Sequence, residues 1–210
     1  MACSWAHAGS YDDFFLAIKN DDAKAVAELL SRGFDVNTLN PQAEHGLFLA
    51  IREPSPGVIS LLLSREKIDV NPRSRNDETP LMLASIKGQL ALARQLIAKG
   101  ADVNKPGWAP LHYASTSGHL ELMNLLLEHH AYIDAASPNE STPLMMAAMY
   151  GTASAVKLLL EAGADPMLRN VQGLTALDFA EKVNRTDSAR IIAAFMRAKQ
   201  AQETEAKDAK

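Results

Sequence analysis

The sequence predicts an all-α repeat solenoid in which short helix pairs stack side by side, each covering the apolar face its neighbour leaves open. Three observations carry this. A six-residue segment, Thr79-Pro80-Leu81-Met82-Leu83-Ala84, returns as Ala109-Pro110-Leu111-His112-Tyr113-Ala114, Thr142-Pro143-Leu144-Met145-Met146-Ala147 and Thr175-Ala176-Leu177-Asp178-Phe179-Ala180, at steps of 30, 33 and 33 residues. A second segment keeps the same register: Gly33-Phe34-Asp35-Val36-Asn37, Lys67-Ile68-Asp69-Val70-Asn71, Gly100-Ala101-Asp102-Val103-Asn104 and Gly163-Ala164-Asp165-Pro166. Each copy also carries the start, break and stop signals of two short helices.

Thr79 and Thr142 suit a helix N-cap, and the proline after each suits the first helical position, where no N–H is needed. Leu81, Leu83 and Ala84 then bury one face of the first helix, and Gly88, Gly118 and Gly151 break the chain before the second. That second helix carries Leu at three- and four-residue spacing, as in Leu120, Leu122, Leu125, Leu126 and Leu127. Gly100 and Gly163 end it in the left-handed conformation, and His130 at the same position predicts modest strain. Ser10-Tyr11-Asp12-Asp13 reads as the capped start of the first unit, and the polar tail from Lys199 as a prolongation or fraying of the last helix.

These residues resemble the ankyrin repeat, whose unit of about 33 residues opens with T-P-L-H-x-A before two antiparallel helices and a hairpin-like loop. The resemblance covers roughly residues 10–198 as a single domain of about six units: 10–44, 45–78, 79–108, 109–141, 142–174 and 175–198. Residues 1–9 precede it and a charged tail, 199–210, follows. Three departures stand out. The hairpin at Lys105-Pro106-Gly107-Trp108 is three residues short, and one residue is added near Arg65-Glu66-Lys67. Glu53-Pro54-Ser55-Pro56-Gly57 replaces the interhelix turn of the second unit, where the prolines are expected to shorten the first helix.

Composition excludes several classes. Lys plus Arg is 21 against 25 Asp plus Glu, a net charge of −4, which disfavours a phosphate-neutralising surface and so a nucleic-acid binder. No apolar run approaches the ~20 residues of a membrane span; the greasiest, Pro143 to Tyr150, is far shorter. Cys3 is the only cysteine, so neither an intrachain disulfide nor a thiolate metal cluster can form. P-loop, dinucleotide-binding, zincin, nucleophile-elbow and EF-hand patterns are missing. His112, His119, His129 and His130 share one unit, but at different heights, and are read as local hydrogen-bonding groups rather than a metal site. Asp12/Asp13 and Asp21/Asp22 are read as favourable charges at helix starts rather than an acid–base pair. The expectation is therefore no enzyme, no cofactor and no metal, with metal-dependent activity at the fourth-unit histidines as a weaker alternative.

What the resemblance implies is a non-catalytic, monomeric scaffold that binds a protein partner on a concave face built from hairpin tips and first helices. Arg75, Glu78, Ile86, Trp108, Met149, Tyr150, Val171 and Leu174 are the expected contacts, with Trp108 and Tyr150 as anchors. Asn76, Ser141 and Gln172 lie beside them on the hairpins. Leu83, Tyr113, Met146 and Phe179 share an apolar position and are predicted as core. An exported accessory or chaperone-like protein that protects an enzyme is the alternative. Ala6-His7-Ala8 has the small-x-small form of a leader-peptide cleavage site without its apolar region. As a leader remnant it implies a periplasmic or secreted protein; otherwise the expectation is cytoplasmic.

Overall fold

A computed structural model describes residues 5–208. Twelve helices follow in pairs: α1 Trp5–Lys19 with α2 Ala23–Ser31, α3 Gly46–Arg52 with α4 Pro56–Leu63, α5 Pro80–Ile86 with α6 Leu90–Ala98, α7 Pro110–Ser117 with α8 Leu120–Glu128, α9 Pro143–Met149 with α10 Ala153–Glu161, and α11 Ala176–Lys182 with α12 Thr186–Asp208. The chain forms two compact units. One takes the residues up to Ala84 with Ala91–Asp102, the other Ser85–Leu90 with everything from Val103. In the first, α1 packs on α3 and α2 on α4; in the second, α7 packs on α9, α9 on α11, α8 on α10 and α10 on α12. First helices therefore lie against first helices, and second against second.

The core of each unit sits between these rows. Phe14, Ile18, Leu47, Leu49, Ile51, Leu62, Leu81 and Leu96 are fully buried in the first unit, and Leu111, Leu122 and Met123 in the second. The predicted caps form. The Met82 and Met145 amides each donate to the hydroxyl of Thr79 or Thr142 at 3.3 Å. Thr175 and Asp178 make a reciprocal pair, Asp178 N–H to Thr175 Oγ1 at 3.3 Å and Thr175 N–H to Asp178 Oδ2 at 2.7 Å. His130 has φ +62°, in the left-handed region occupied by Gly33, Gly100 and Gly163 at the equivalent sites.

Four hairpins close on one pattern, the amide of residue i donating to the carbonyl of i+4: Asn40 to Glu44 and Ser74 to Glu78 at 2.9 Å, Ser137 to Ser141 and Asn170 to Leu174 at 3.0 Å. In the shortened loop Lys105 Nζ donates instead to the carbonyls of Pro106 (2.9 Å) and Trp108 (3.2 Å). The residue added near Arg65 is taken up in a turn closed by Ile68 N–H on the Arg65 carbonyl, 3.4 Å.

Side chains join each copy to the next at both ends of the repeat. Asn37 donates to the Lys67 carbonyl (2.7 Å) and accepts from the Asp69 amide (2.9 Å). Asn71 does the same with Gly100 (3.0 Å) and Asp102 (2.8 Å), and Asn104 with His130 and Tyr132, both at 2.8 Å. The fourth rung is Asp134, whose carboxylate can only accept, from Asp165 N–H at 3.1 Å. At the interhelix turns, Ser55 Oγ donates to the Ile18 carbonyl (2.7 Å) and the Asp21 carboxylate accepts from Gly57 and Val58 N–H (3.2 and 2.8 Å). His119 Nε2 meets the Ile86 carbonyl at 3.2 Å. Arg185 donates to the carbonyls of Met149 (3.0 Å), Tyr150 (3.0 Å) and Gly151 (2.6 Å).

Several expectations are corrected. Leu83, Tyr113, Met146 and Phe179 are half-buried, not core. The buried neighbours are Met82, His112 and Met145, one residue earlier, because a helix of two turns presents that side to the adjacent repeat. Helix α1 begins upstream of Ser10, so Ser10 is no N-cap, and Asp12 and Asp13 are exposed mid-helix residues. Helix α3 has seven residues, as do α5, α9 and α11; Pro56 starts α4 and Pro54 lies in the turn, so neither shortens it. The charged tail prolongs α12 to Asp208. Part of the expected leader remnant, with Cys3, lies outside the described residues, while Ala6-His7-Ala8 falls in the first turns of α1.

Asp134 sits opposite Asp165, which Lys199 of α12 pairs at 2.7 Å. Burial pushes the Asp134 carboxyl up, and the nearby Asp165 charge adds to this against the Asp165 N–H. Burial pushes Asp165 up as well, but the Lys199 ammonium and the Met167 N–H outweigh it and hold the group below the usual carboxylate range. Asp134→Asn removes the misplaced charge and supplies the amide donor its three counterparts use, so it is expected to raise the free energy of urea unfolding by about 1 kcal/mol. Gly151→Ala is expected to lower it by roughly 1–3 kcal/mol. A Cβ there runs into the Ser115 carbonyl oxygen and falls 2.9 Å from Ala147, contacts with backbone rather than with a movable side chain.

Candidate protein-binding surface

In the second unit the hairpin tips and first helices carry a band of incompletely covered apolar side chains. Tyr150, which ends α9, is 52% exposed, and Val171, on the hairpin before α11, is 62% exposed. Ile86, Trp108, Met149 and Leu174 are half-buried. Tyr113, Met146 and Phe179, on α7, α9 and α11, fall at one repeat position on three first helices that pack in sequence. The band is thus broader than the expected contacts, because it includes three residues predicted to be core.

Trp108 is held in place as well as displayed. Its ring lies edge-on to the His112 imidazole, centroids 5.3 Å apart at 76°. Tyr150 and Met149 are positioned through their backbone, by Arg185. Ser141 does not belong to the surface. It is buried, and its carbonyl accepts from His112 Nε2 at 3.0 Å.

In the first unit, Arg75 is exposed and Glu78 half-buried, on the wall of a groove of about 590 Å³. Phe48 and Leu83 form apolar lining, and Lys19 and Arg52 stand on the same rim. Glu44 accepts from Arg52 and, at 3.1 Å, from Asn40 Nδ2, and Glu78 accepts from Ser74 Oγ at 3.2 Å.

The histidines are used structurally. His112 is buried, with Nδ1 accepting from Ala109 N–H at 3.1 Å; Nε2 therefore carries the proton donated to Ser141. Its imidazole takes the Ala109 N–H, the bond that the Met82, Met145 and Asp178 side chains make with the threonine amide in other copies. The His112 backbone N–H, which a threonine hydroxyl would accept, goes to the Ala109 carbonyl at 3.0 Å. His45, not singled out in the sequence, is itself the N-cap of α3: Nδ1 accepts from Leu47 N–H (3.1 Å) and Nε2 faces Asn37 Oδ1 (3.2 Å). His129 and His130 are exposed and His119 lies at the turn, so the four histidines do not converge. Among the described residues no three His, Cys, Asp or Glu side chains are grouped as metal ligands, and no helix is long and apolar enough to cross a membrane.

Residues 14–107, 47–137 and 111–203 each match the family description of ankyrin repeats in three copies. The chain belongs to the ankyrin-repeat family. It is 33% identical over 179 residues to the nuclear factor NF-kappa-B p105 subunit of Gallus gallus, covering 82% of this chain and 18% of that protein. The ankyrin repeat protein YahD of Escherichia coli (strain K12) is 27% identical over 192 residues, covering 87% of this chain and 94% of the relative. The chain spans between 15 and 18% of the length of the first curated relatives it matches. Among solved structures, a chain in the complex of the Bd0816 predatory endopeptidase of Bdellovibrio bacteriovorus with immunity protein Bd3460 superposes with a TM-score of 0.76 at 25% identity, covering 87% of this chain and 97% of that one. An ankyrin-repeat domain from Acinetobacter baumannii AYE gives 0.75 at 24% identity, covering 87% and 96%. Ankyrin repeats are generally protein–protein interaction modules, and the fold is typically non-enzymatic.

Three features of this ankyrin-repeat chain escaped sequence reasoning. Tyr132 is 69% exposed at the position where Asp69, Asp102 and Asp165 stand in other copies, and that substitution was its signal. Arg185 lies 33 residues after Thr152, but the chemistry of the position changes between copies. His45 opens a copy with neither threonine nor proline, so nothing marked it as a cap.

Burial lowers the pKa of His45, against the opposing pull of Asp69 and Asp35. Burial likewise lowers that of His112, against its carbonyl partner at Ser141. With the folded pKa below the unfolded value, the unfolded chain binds the proton more readily. The contribution of both groups is then complete above the ordinary histidine value and is lost as pH falls through it. The urea midpoint is expected to drop between pH 7.5 and 5.5. In His112→Gln, which cannot titrate, the drop should be smaller; an unchanged pH dependence would contradict the assignment.

Proposed function

We propose that this ankyrin-repeat protein is a non-catalytic scaffold that binds a protein partner on the face formed by hairpin tips and first helices, the concave face of the family. The observation that carries the reading is the apolar band of the second unit: Tyr150 and Val171 are exposed, and Tyr113, Met146 and Phe179 are incompletely covered at one repeat position. Apolar side chains left together on a folded surface mark a site of association. Trp108 and Tyr150 act as anchors, since large, rigid aromatics lose little entropy on being covered and dominate interface energies. Ile86, Met149 and Leu174 extend the contact around them. Arg75 and Glu78 belong to the groove of the first unit.

A second reading has one observation in its favour. The solved complex that the chain resembles joins an endopeptidase to an immunity protein. On that reading the partner is an enzyme and its activity falls when the scaffold binds. One partner at one-to-one stoichiometry is common to both readings; inhibition of a hydrolase separates them.

Replacing Trp108 and Tyr150 with alanine together is expected to leave far-ultraviolet circular dichroism unchanged and to weaken binding of a captured partner at least tenfold, measured by calorimetry. A photo-crosslinker at position 150 should label that partner, and one at Leu120 on α8 should not. Equal affinity of the double variant rejects the anchors.

A further inference from the structure

We propose that the groove of the first unit is a second docking site, taking an extended acidic peptide whose carboxylates flank an apolar side chain. The inference rests on the chain being a protein-binding module but uses none of the anchors assigned above. Lys19 ends α1 and Arg52 ends α3, at equivalent positions 33 residues apart, and Arg75 occupies the tip of the next hairpin. Three successive elements thus each place a cation on one rim.

The carboxylates on the same walls are engaged. Glu44 accepts from Arg52 and Asn40, and Glu78 from Ser74; both lie beside the backbone bonds that close their hairpins. Neither Lys19 nor Arg75 has an ion-pair partner among the described residues, and both are exposed. The groove therefore presents two uncompensated cations, Lys19 and Arg75, while Arg52 is paired with both Glu44 and Glu53, on a chain whose net charge is −4. Its apolar lining is Phe48, 6% exposed, and the half-buried Leu83.

Dimensions narrow the occupant further. Packed helices such as α1 and α3 have axes about 8–10 Å apart. An extended polyproline-II segment has three residues per turn and rises about 3.1 Å per residue. Carboxylates three residues apart therefore repeat on one edge every ~9 Å. An acidic residue at every third position, with leucine between, offers carboxylates to Lys19 and Arg75 and an aliphatic side chain to the apolar lining. A nucleic acid offers negative charge but no aliphatic side chain for Phe48 and Leu83.

The test uses the full chain and a fluorescein-labelled peptide, Glu-Leu-Ser-Glu-Leu-Ser-Glu, followed by fluorescence anisotropy. Saturable binding is expected, weakening at least tenfold between 50 and 500 mM NaCl and at least tenfold in Lys19→Ala/Arg75→Ala. The peptide with lysine for glutamate should not bind, and that with serine for leucine should bind at least fivefold more weakly. Equal binding of the lysine peptide, an unaffected double variant, or tighter binding of a single-stranded RNA of similar charge overturns the proposal. Trp108→Ala/Tyr150→Ala is expected to bind the peptide as the parent does. Loss of peptide binding there would reject the assignment to this groove. Failure of the peptide with retained partner capture through Trp108 and Tyr150 sinks this inference and leaves the preceding one standing.

Discussion

Backbone polar groups at the ends of short helices are the constraint on which this structure depends. A helix of seven residues has most of its amides and carbonyls at a terminus, and each must be satisfied by something other than the helix itself. This chain assigns much of that work to side chains of the neighbouring copy. Asn37, Asn71 and Asn104 each hold one carbonyl and one amide of the next hairpin base, and Arg185 holds three carbonyls of the preceding turn. Apolar burial brings helices together within each unit; these bonds fix the register in which they meet.

Binding surfaces follow from the same division of labour. Because one side of each first helix and the hairpin base are committed to neighbours, the hairpin tip and the opposite side are released from structural duty. In the second unit the released positions hold Tyr150 and Val171; in the first they hold Arg75, with Lys19 and Arg52 at helix ends. The units differ in chemistry while sharing a scaffold, as expected when fold and site are specified by different residues.

The repeat architecture was legible because threonine, proline and glycine act locally: caps at Thr79 and Thr142 and the left-handed turn at His130 can be read from a few neighbouring residues. What stayed hidden is long-range. The core assignment of Leu83, Tyr113, Met146 and Phe179 missed by one residue, since an apolar pattern in a two-turn helix does not say which edge faces the next repeat. The Asn ladder was visible as a recurring letter but not as a bond spanning about thirty residues. Trp108 was read as an anchor, and its edge contact with His112, which ties it to the start of α7, was not foreseen. His112 in turn accepts the Ala109 N–H from three residues on, the reciprocal half of the cap, and leaves the missing threonine hydroxyl unreplaced.

The change from Asn to Asp at residue 134 bears on how such a protein gains or loses modules. Junctions joined through asparagine are chemically alike, so gene duplication or excision of a module bounded by them returns the same bonds. The Asp134 junction is not interchangeable in this way. Its acceptor-only carboxylate faces Asp165, whose charge is balanced from the terminal helix by Lys199, so a module spliced in at that point moves the Asp134 charge away from that balanced pair. Asp134, Asp165 and Lys199 therefore have to travel together when modules are exchanged.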